Sequence, residues 1–145
     1  MLEIYLLSLH KTIKGSLSID EAGIRGQGAT RVFNYLRAAG VAVSSVDLYS
    51  QVQAALQIRN CLLHAGGLLA DSRNDKEIRR IVSDMTYLST QSRKKDSIYK
   101  VGIGLSSFGE QIQITNNYSY LVSVYARDHF LSLCCKIDET FSSIP

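Results

Sequence analysis

Cysteine and histidine are scarce, three of each in 145 residues, and where they stand closes off several classes of protein. Cys61 is isolated, while Cys134 and Cys135 are adjacent on a helical pattern and would point different ways. An odd number so spaced makes no disulfide framework. With no paired cysteine spacing and only His10, His64 and His129 to add, no cluster offers a ligand set, so no metal and no other cofactor is expected. Long apolar runs are also missing. The stretch from Leu2 to Leu9 is brief, is interrupted by Glu3 and leads to no small-residue cleavage pattern. It reads as an amphipathic or buried helix of a cytoplasmic protein, not as a membrane segment. Gly23, Gly26 and Gly28 surround Arg25, but no strand precedes them and no Gly-Lys-Ser/Thr follows, which argues against a phosphate-binding loop. Internal repeats and low-complexity tracts are absent too.

What is present is enough apolar residue, 46% of the chain, to bury a sizeable core. Residues 1–145 are therefore expected to form a single domain. The net charge of +3 is modest but uneven. Residues 73–100 carry eight basic side chains (Arg73, Lys76, Arg79, Arg80, Arg93, Lys94, Lys95, Lys100) against four acidic ones. Such a local excess suits a polyanion, although a solvated helix face has the same composition.

Periodicity predicts five helices and a hairpin. Leu2, Leu6, Leu9 and Ile13 mark a first helix over 2–14, stopped by Gly15. A second, over 29–39, would bury Val32, Leu36 and Ala39 and stop at Gly40. A third runs from about Val46 to His64, and a fourth from about Asn74 to Leu88 with Ile78, Ile81, Val82, Met85 and Leu88 inward. Beyond a polar linker the period becomes two, over 98–103 and again over 111–115, as in a small hairpin. Asn116 or Asn117 then caps a closing helix.

The third helix holds the most informative stretch. At about 100° per residue, Leu48, Val52, Ala55, Leu56, Leu62 and Leu63 share one sector, with Arg59 in its middle. Gln53, Gln57, Asn60 and His64 share a narrow neighbouring one. A guanidinium on a core-facing ridge needs an anion, a carboxylate or a route to water. Gly66 and Gly67 end the helix and leave His64 in its last turn. Structural roles fit the same residues: an Arg stem lying along apolar surface, a His complementing the helix C-terminus, and an Asn facing water.

Arg59-Asn60-Cys61-Leu62-Leu63-His64 resembles the motif of HEPN domains, in which an Arg, a following polar residue and a His close one helix of a bundle. The likeness extends from about Gly23 to Gly67, taking in Tyr35-Leu36, the Gly40-to-Ser45 link and the Gln-rich helix. A fainter version continues through Phe108 to Thr115. The resemblance implies a mainly α fold, a HEPN-like helical bundle of four to five helices with a small β-hairpin before the last helix. It also implies a metal-independent endoribonuclease that acts as a homodimer, in the manner of a toxin held by an antitoxin protein or of a phage-defence effector.

Metal-free RNA cleavage needs a base for the ribose 2′-hydroxyl, an acid for the leaving 5′-oxygen and positive charge on the phosphorane. A histidine of ordinary basicity can do either proton job, and an arginine can grip two phosphoryl oxygens. By the resemblance, Arg59 and His64 are the catalytic pair and Asn60 orients the His or binds phosphate, with two copies of the helix end completing one site. Products would carry 2′,3′-cyclic phosphate and 5′-hydroxyl ends. Arg73, Arg79 and Arg80, and Arg93-Lys94-Lys95 in the linker, are the expected contacts to RNA. His10 and His129 are expected in packing or surface roles. The alternative function is a non-catalytic dimeric module that binds RNA, nucleotide or protein through the same bundle.

Overall fold

Leu6, in the middle of the first amphipathic run, has no exposed surface, and the helix around it, α1 (Leu2–Lys14), ends just before Gly15 as its pattern requires. The computed structural model describes residues 2–15, 19–87, 102–106, 108–115 and 118–142. Among these the elements in order are α1, α2 (Gly28–Ala38), α3 (Tyr49–His64), α4 (Asp75–Ser83), β1 (Ile103–Leu105), β2 (Ile112–Ile114) and α5 (Tyr118–Ser142), with short 3₁₀ turns at Glu21–Gly23, Val43–Ser45 and Met85–Tyr87. The protein is thus mainly helical, with a two-stranded antiparallel hairpin ahead of the last helix. No helix among the described residues is long and apolar enough to cross a membrane.

By packing, the chain divides into two compact units, Met1–Tyr49 with Ala126–Pro145, and Ser50–Tyr125. In the first, α2 buries Ala29, Val32, Phe33, Tyr35 and Leu36. Phe33 and Tyr35 are among the largest fully buried side chains. Gly28, at φ +53, brings α2 so close to α1 that a Cβ there would collide with Glu3 Oε1. The loop between the helices is closed by charge: Glu21 meets Lys14 Nζ at 2.8 Å and Arg31 Nη2 at 3.3 Å. Those cations, Lys14 first, hold the Glu21 carboxyl below its ordinary range.

In the second unit, Ala54, Ile58 and Cys61 of α3 pack with Leu69, Ile78, Ile81, Val82, Ile103, Ile112 and Tyr118. Each aliphatic side chain buried in this way contributes about 1.5–3 kcal/mol. The hairpin pairs Ile103 with Ile114, Gly104 with Gln113 and Leu105 with Ile112. Two strands alone are marginal, and these gain a third partner through the antiparallel bridge between Leu68 and Gln111.

Three elements, α3, α4 and the first strand, depart from the sequence reading by more than one residue, while α2 and β2 differ by one residue at each end. α3 starts at Tyr49, because Val43–Ser45 forms a 3₁₀ turn and Leu48 takes a left-handed φ of 59° that no α-helix can include. α4 ends at Ser83, where Asp84 turns extended and accepts a hydrogen bond from Thr86 N–H at 2.9 Å. The first strand is Ile103–Leu105; residues 98–101 of the expected one, along with Leu88 and the caps Asn116 and Asn117, lie outside the described residues.

His129 is a packing residue, fully buried on α5, with Nδ1 2.7 Å from the Asp47 carbonyl. It serves as a neutral imidazole donating from Nδ1. Burial pushes its pKa down, only partly countered by the bond to Asp47. A lowered histidine pKa means the unfolded chain binds the extra proton first, so this contribution to stability is complete above the unfolded value of about 6.5 and is lost as pH falls below it. Urea denaturation of the native chain is expected to show a midpoint that declines as pH drops from about 7 to about 5. His129→Asn, which keeps a donor for Asp47 but cannot titrate there, should show a flatter profile over that window.

Candidate functional site

Helical geometry sorts the motif residues onto two faces of α3. The ridge Ala54, Ile58, Cys61 and Ala65 faces the core of its unit, and at 100° per residue Gln57 and His64 lie roughly 60–90° to one side of it, with Asn60 a little further round. Arg59 and Leu63 lie nearly opposite. Arg59 is exposed, not core-facing as its position among apolar residues suggested, and Leu63 is 61% exposed. The physical reason is that the inward ridge is built from small and β-branched side chains and Cys61, while of the leucine-rich sector that looked like the core Leu62 packs at its edge and Arg59 and Leu63 turn to solvent. Only Val52, two turns earlier, is buried on that side.

Arg59 Nη1 donates to Asn60 Oδ1 at 3.1 Å, so the two polar motif residues are joined across the faces. Asn60 and His64, both exposed, then line a pocket of about 270 Å³. Its other polar walls are Gln57 and the segment Ser72, Arg73 and Asn74 that leads into α4. The floor is apolar, made by Cys61, Ala65 and Ile78. Among the described residues the lining includes Arg73 and His64 and no carboxylate.

The reversal after α3 holds these walls together. Gly67 N–H donates back to Cys61 O at 3.1 Å. The chain then joins the hairpin: Ile112 N–H donates to Gly67 O and Leu69 N–H to Glu110 O, both at 2.9 Å, while Gln111 Nε2 donates to Gly66 O at 3.2 Å. Ser72 Oγ accepts from Asn74 N–H at 3.4 Å and shapes the next turn.

Of the expected site residues, the structure brings Asn60, His64 and Arg73 to one pocket, with Arg59 bonded to its rim. Arg79 and Arg80 do not join them. Arg79 donates to Gly109 O at 3.1 Å and lies beside Asp75. Arg80 grips Glu77 with two bonds of 2.9 and 2.7 Å, and its guanidinium lies over the Tyr87 ring. That pairing lowers the Glu77 pKa and raises the arginine's. Arg93, Lys94 and Lys95 lie outside the described residues. The sequence reading missed Ser72, Asn74 and Ile78 as pocket residues. Gln57 was visible as a member of the polar ridge, whereas the 72–74 wall had no signal short of the folded reversal.

Comparison with family models, with curated proteins and with solved structures yields no match to this chain.

Both reversal glycines have positive φ, +57 at Gly66 and +80 at Gly67. A Cβ at Gly66 meets nothing, whereas one at Gly67 would stand 3.3 Å from Leu62 Cδ2. Gly66→Asn should therefore cost well under about 1 kcal/mol, because Asn tolerates the left-handed region, and Gly67→Ala about 1–2 kcal/mol or more. Chemical denaturation of the two variants checks the order.

Proposed function

We propose that this chain is a HEPN-type, metal-independent endoribonuclease that works as a homodimer, in a toxin–antitoxin or phage-defence setting. The observation that carries the reading is the placement of Arg59-Asn60-x3-His64 at an exposed helix end, with Asn60 and His64 on the wall of a cationic pocket. Three features add support. Arg59 and Asn60 are bonded to each other, Arg73 also lines the pocket, and two leucines of the helix end and the reversal after it are exposed, Leu63 at 61% and Leu68 at 43%. An apolar patch around a functional side chain is a natural contact for a second copy.

In the dimer, His64 of one chain takes the ribose 2′-hydroxyl proton as the 2′-oxygen attacks phosphorus. His64 of the second copy gives a proton to the 5′-oxygen as the P–O5′ bond breaks. The two Arg59 guanidinia stabilise the charge that builds on the phosphorane. The products are a 2′,3′-cyclic phosphate and a 5′-hydroxyl. A second reading, nucleotide or RNA binding without cleavage, is favoured by the pocket's content of carboxamides, which bind well but do no proton chemistry.

Purified protein should cut RNA in the presence of a chelator. His64→Ala and Arg59→Ala should each lower the rate by about 100-fold or more, with unchanged unfolding midpoints because both side chains are exposed. Binding without products in the unaltered chain would select the second reading. Leu63→Glu, an exposed change compatible with helix, should shift the sedimentation coefficient from dimer to monomer and abolish cleavage together; a dimer that persists would place the interface elsewhere.

A further inference from the structure

We infer that the pocket beside His64 is a nucleobase subsite that reads an amino-bearing base, adenine foremost, on the nucleotide next to the scissile phosphate. The inference rests on the nuclease reading for its place along an RNA strand, but not for the binding itself.

The chemistry of the lining singles out this occupant. A cavity of about 270 Å³ is small for a drug-sized ligand and suits one nucleotide. Its floor of Cys61, Ala65 and Ile78 is apolar, as the flat face of a base requires. Its walls carry three carboxamides, from Gln57, Asn60 and Asn74, and the Ser72 hydroxyl. A carboxamide places a donor and an acceptor side by side, which is the complement of an adenine edge with its amino group next to a ring nitrogen. A pocket for a metal ion would gather acids, and none lines this one among the described residues.

Gln57 adds an independent observation. Its Oε1 is buried and has no hydrogen-bond partner among the described residues. A buried acceptor left unpaired is costly, and a turn of the Gln57 carboxamide that brings this oxygen to the pocket wall lets a base amino group supply the missing donor. Asn60 has its oxygen engaged by Arg59 Nη1 and so offers its amide N–H groups toward a ring nitrogen. The Arg73 guanidinium and the His64 imidazole, both in the lining, offer hydrogen-bond donors to the phosphate attached to such a nucleoside.

The test uses the full-length chain and four 3′-nucleoside monophosphates as probes, with affinities measured by titration calorimetry. 3′-AMP should bind about tenfold tighter than 3′-UMP, the discrimination one two-bond carboxamide pair provides. Gln57→Leu should bring 3′-AMP down to the level of 3′-UMP while leaving the unfolding midpoint equal or higher, since it removes an unpaired buried oxygen. Equal binding of 3′-AMP and 3′-UMP, no binding at millimolar concentration, or an adenine preference that survives Gln57→Leu each overturns the inference. Preferential 3′-AMP binding by a chain that cuts no RNA would uphold the subsite and sink the nuclease reading; RNA cleavage with no base preference on either side of the cut would do the reverse.

Discussion

The Gly66-Gly67 reversal, stapled to the hairpin by Ile112 N–H on Gly67 O and Leu69 N–H on Glu110 O, is the constraint on which the candidate site depends. A helix end is ordinarily a place of fraying, because its last carbonyls lack partners within the helix. Here the chain leaving α3 is held by a strand, so the last turn, with His64 on it, has a fixed exit. The same bonds set where residues 72–74 begin, and those residues form the opposite wall of the pocket. They also explain why so short a hairpin persists: the bridge at Leu68 and the burial of Ile103 and Ile112 give it a further backbone partner and the core that two strands alone lack.

Environment assigns different work to side chains of the same type. His129 is sealed on α5 with one nitrogen bonded to the Asp47 carbonyl, and burial keeps it neutral. His64 stands exposed at the end of α3, on the pocket wall. The arginines divide likewise. Arg80 is spent on Glu77 and Tyr87, and Arg79 on the Gly109 carbonyl, so among the described residues of a basic stretch that looks uniform in sequence only Arg73 brings a guanidinium to the pocket. Surface pairs of this kind add little stability; their larger effect is to withdraw those charges from any polyanion.

Much of the architecture was legible because it follows from local rules. The spacing of Leu2, Leu6, Leu9 and Ile13 and the stop at Gly15 define α1, Val32 and Leu36 before Gly40 define α2, and the alternation of Gln111 to Thr115 contains β2. Where the reading slipped, a non-local effect was responsible. Leu48 in the left-handed region belongs to no local preference of leucine. The inward face of α3 was misjudged because hydrophobicity ranks leucine above alanine and cysteine, whereas the core selects side chains by the room available.

By itself the sequence determined the number and order of the helices, the hairpin ahead of the last one, the helix stop at Gly66-Gly67 and the polar ridge of Gln57, Asn60 and His64, since each rests on a repeat of 3.6 or 2 residues or on a glycine's tolerance of positive φ. Only the tertiary structure decided that Arg59 faces solvent, that Arg79 and Arg80 are engaged within the chain, and that Ser72, Arg73 and Asn74 close a pocket against α3. The reason is that a pocket's walls are neighbours in space. Their distance is set by hydrogen bonds across 41 or more residues, such as that from Leu69 N–H to Glu110 O or Gln111 Nε2 to Gly66 O at a separation of 45, and no periodicity along the chain records them.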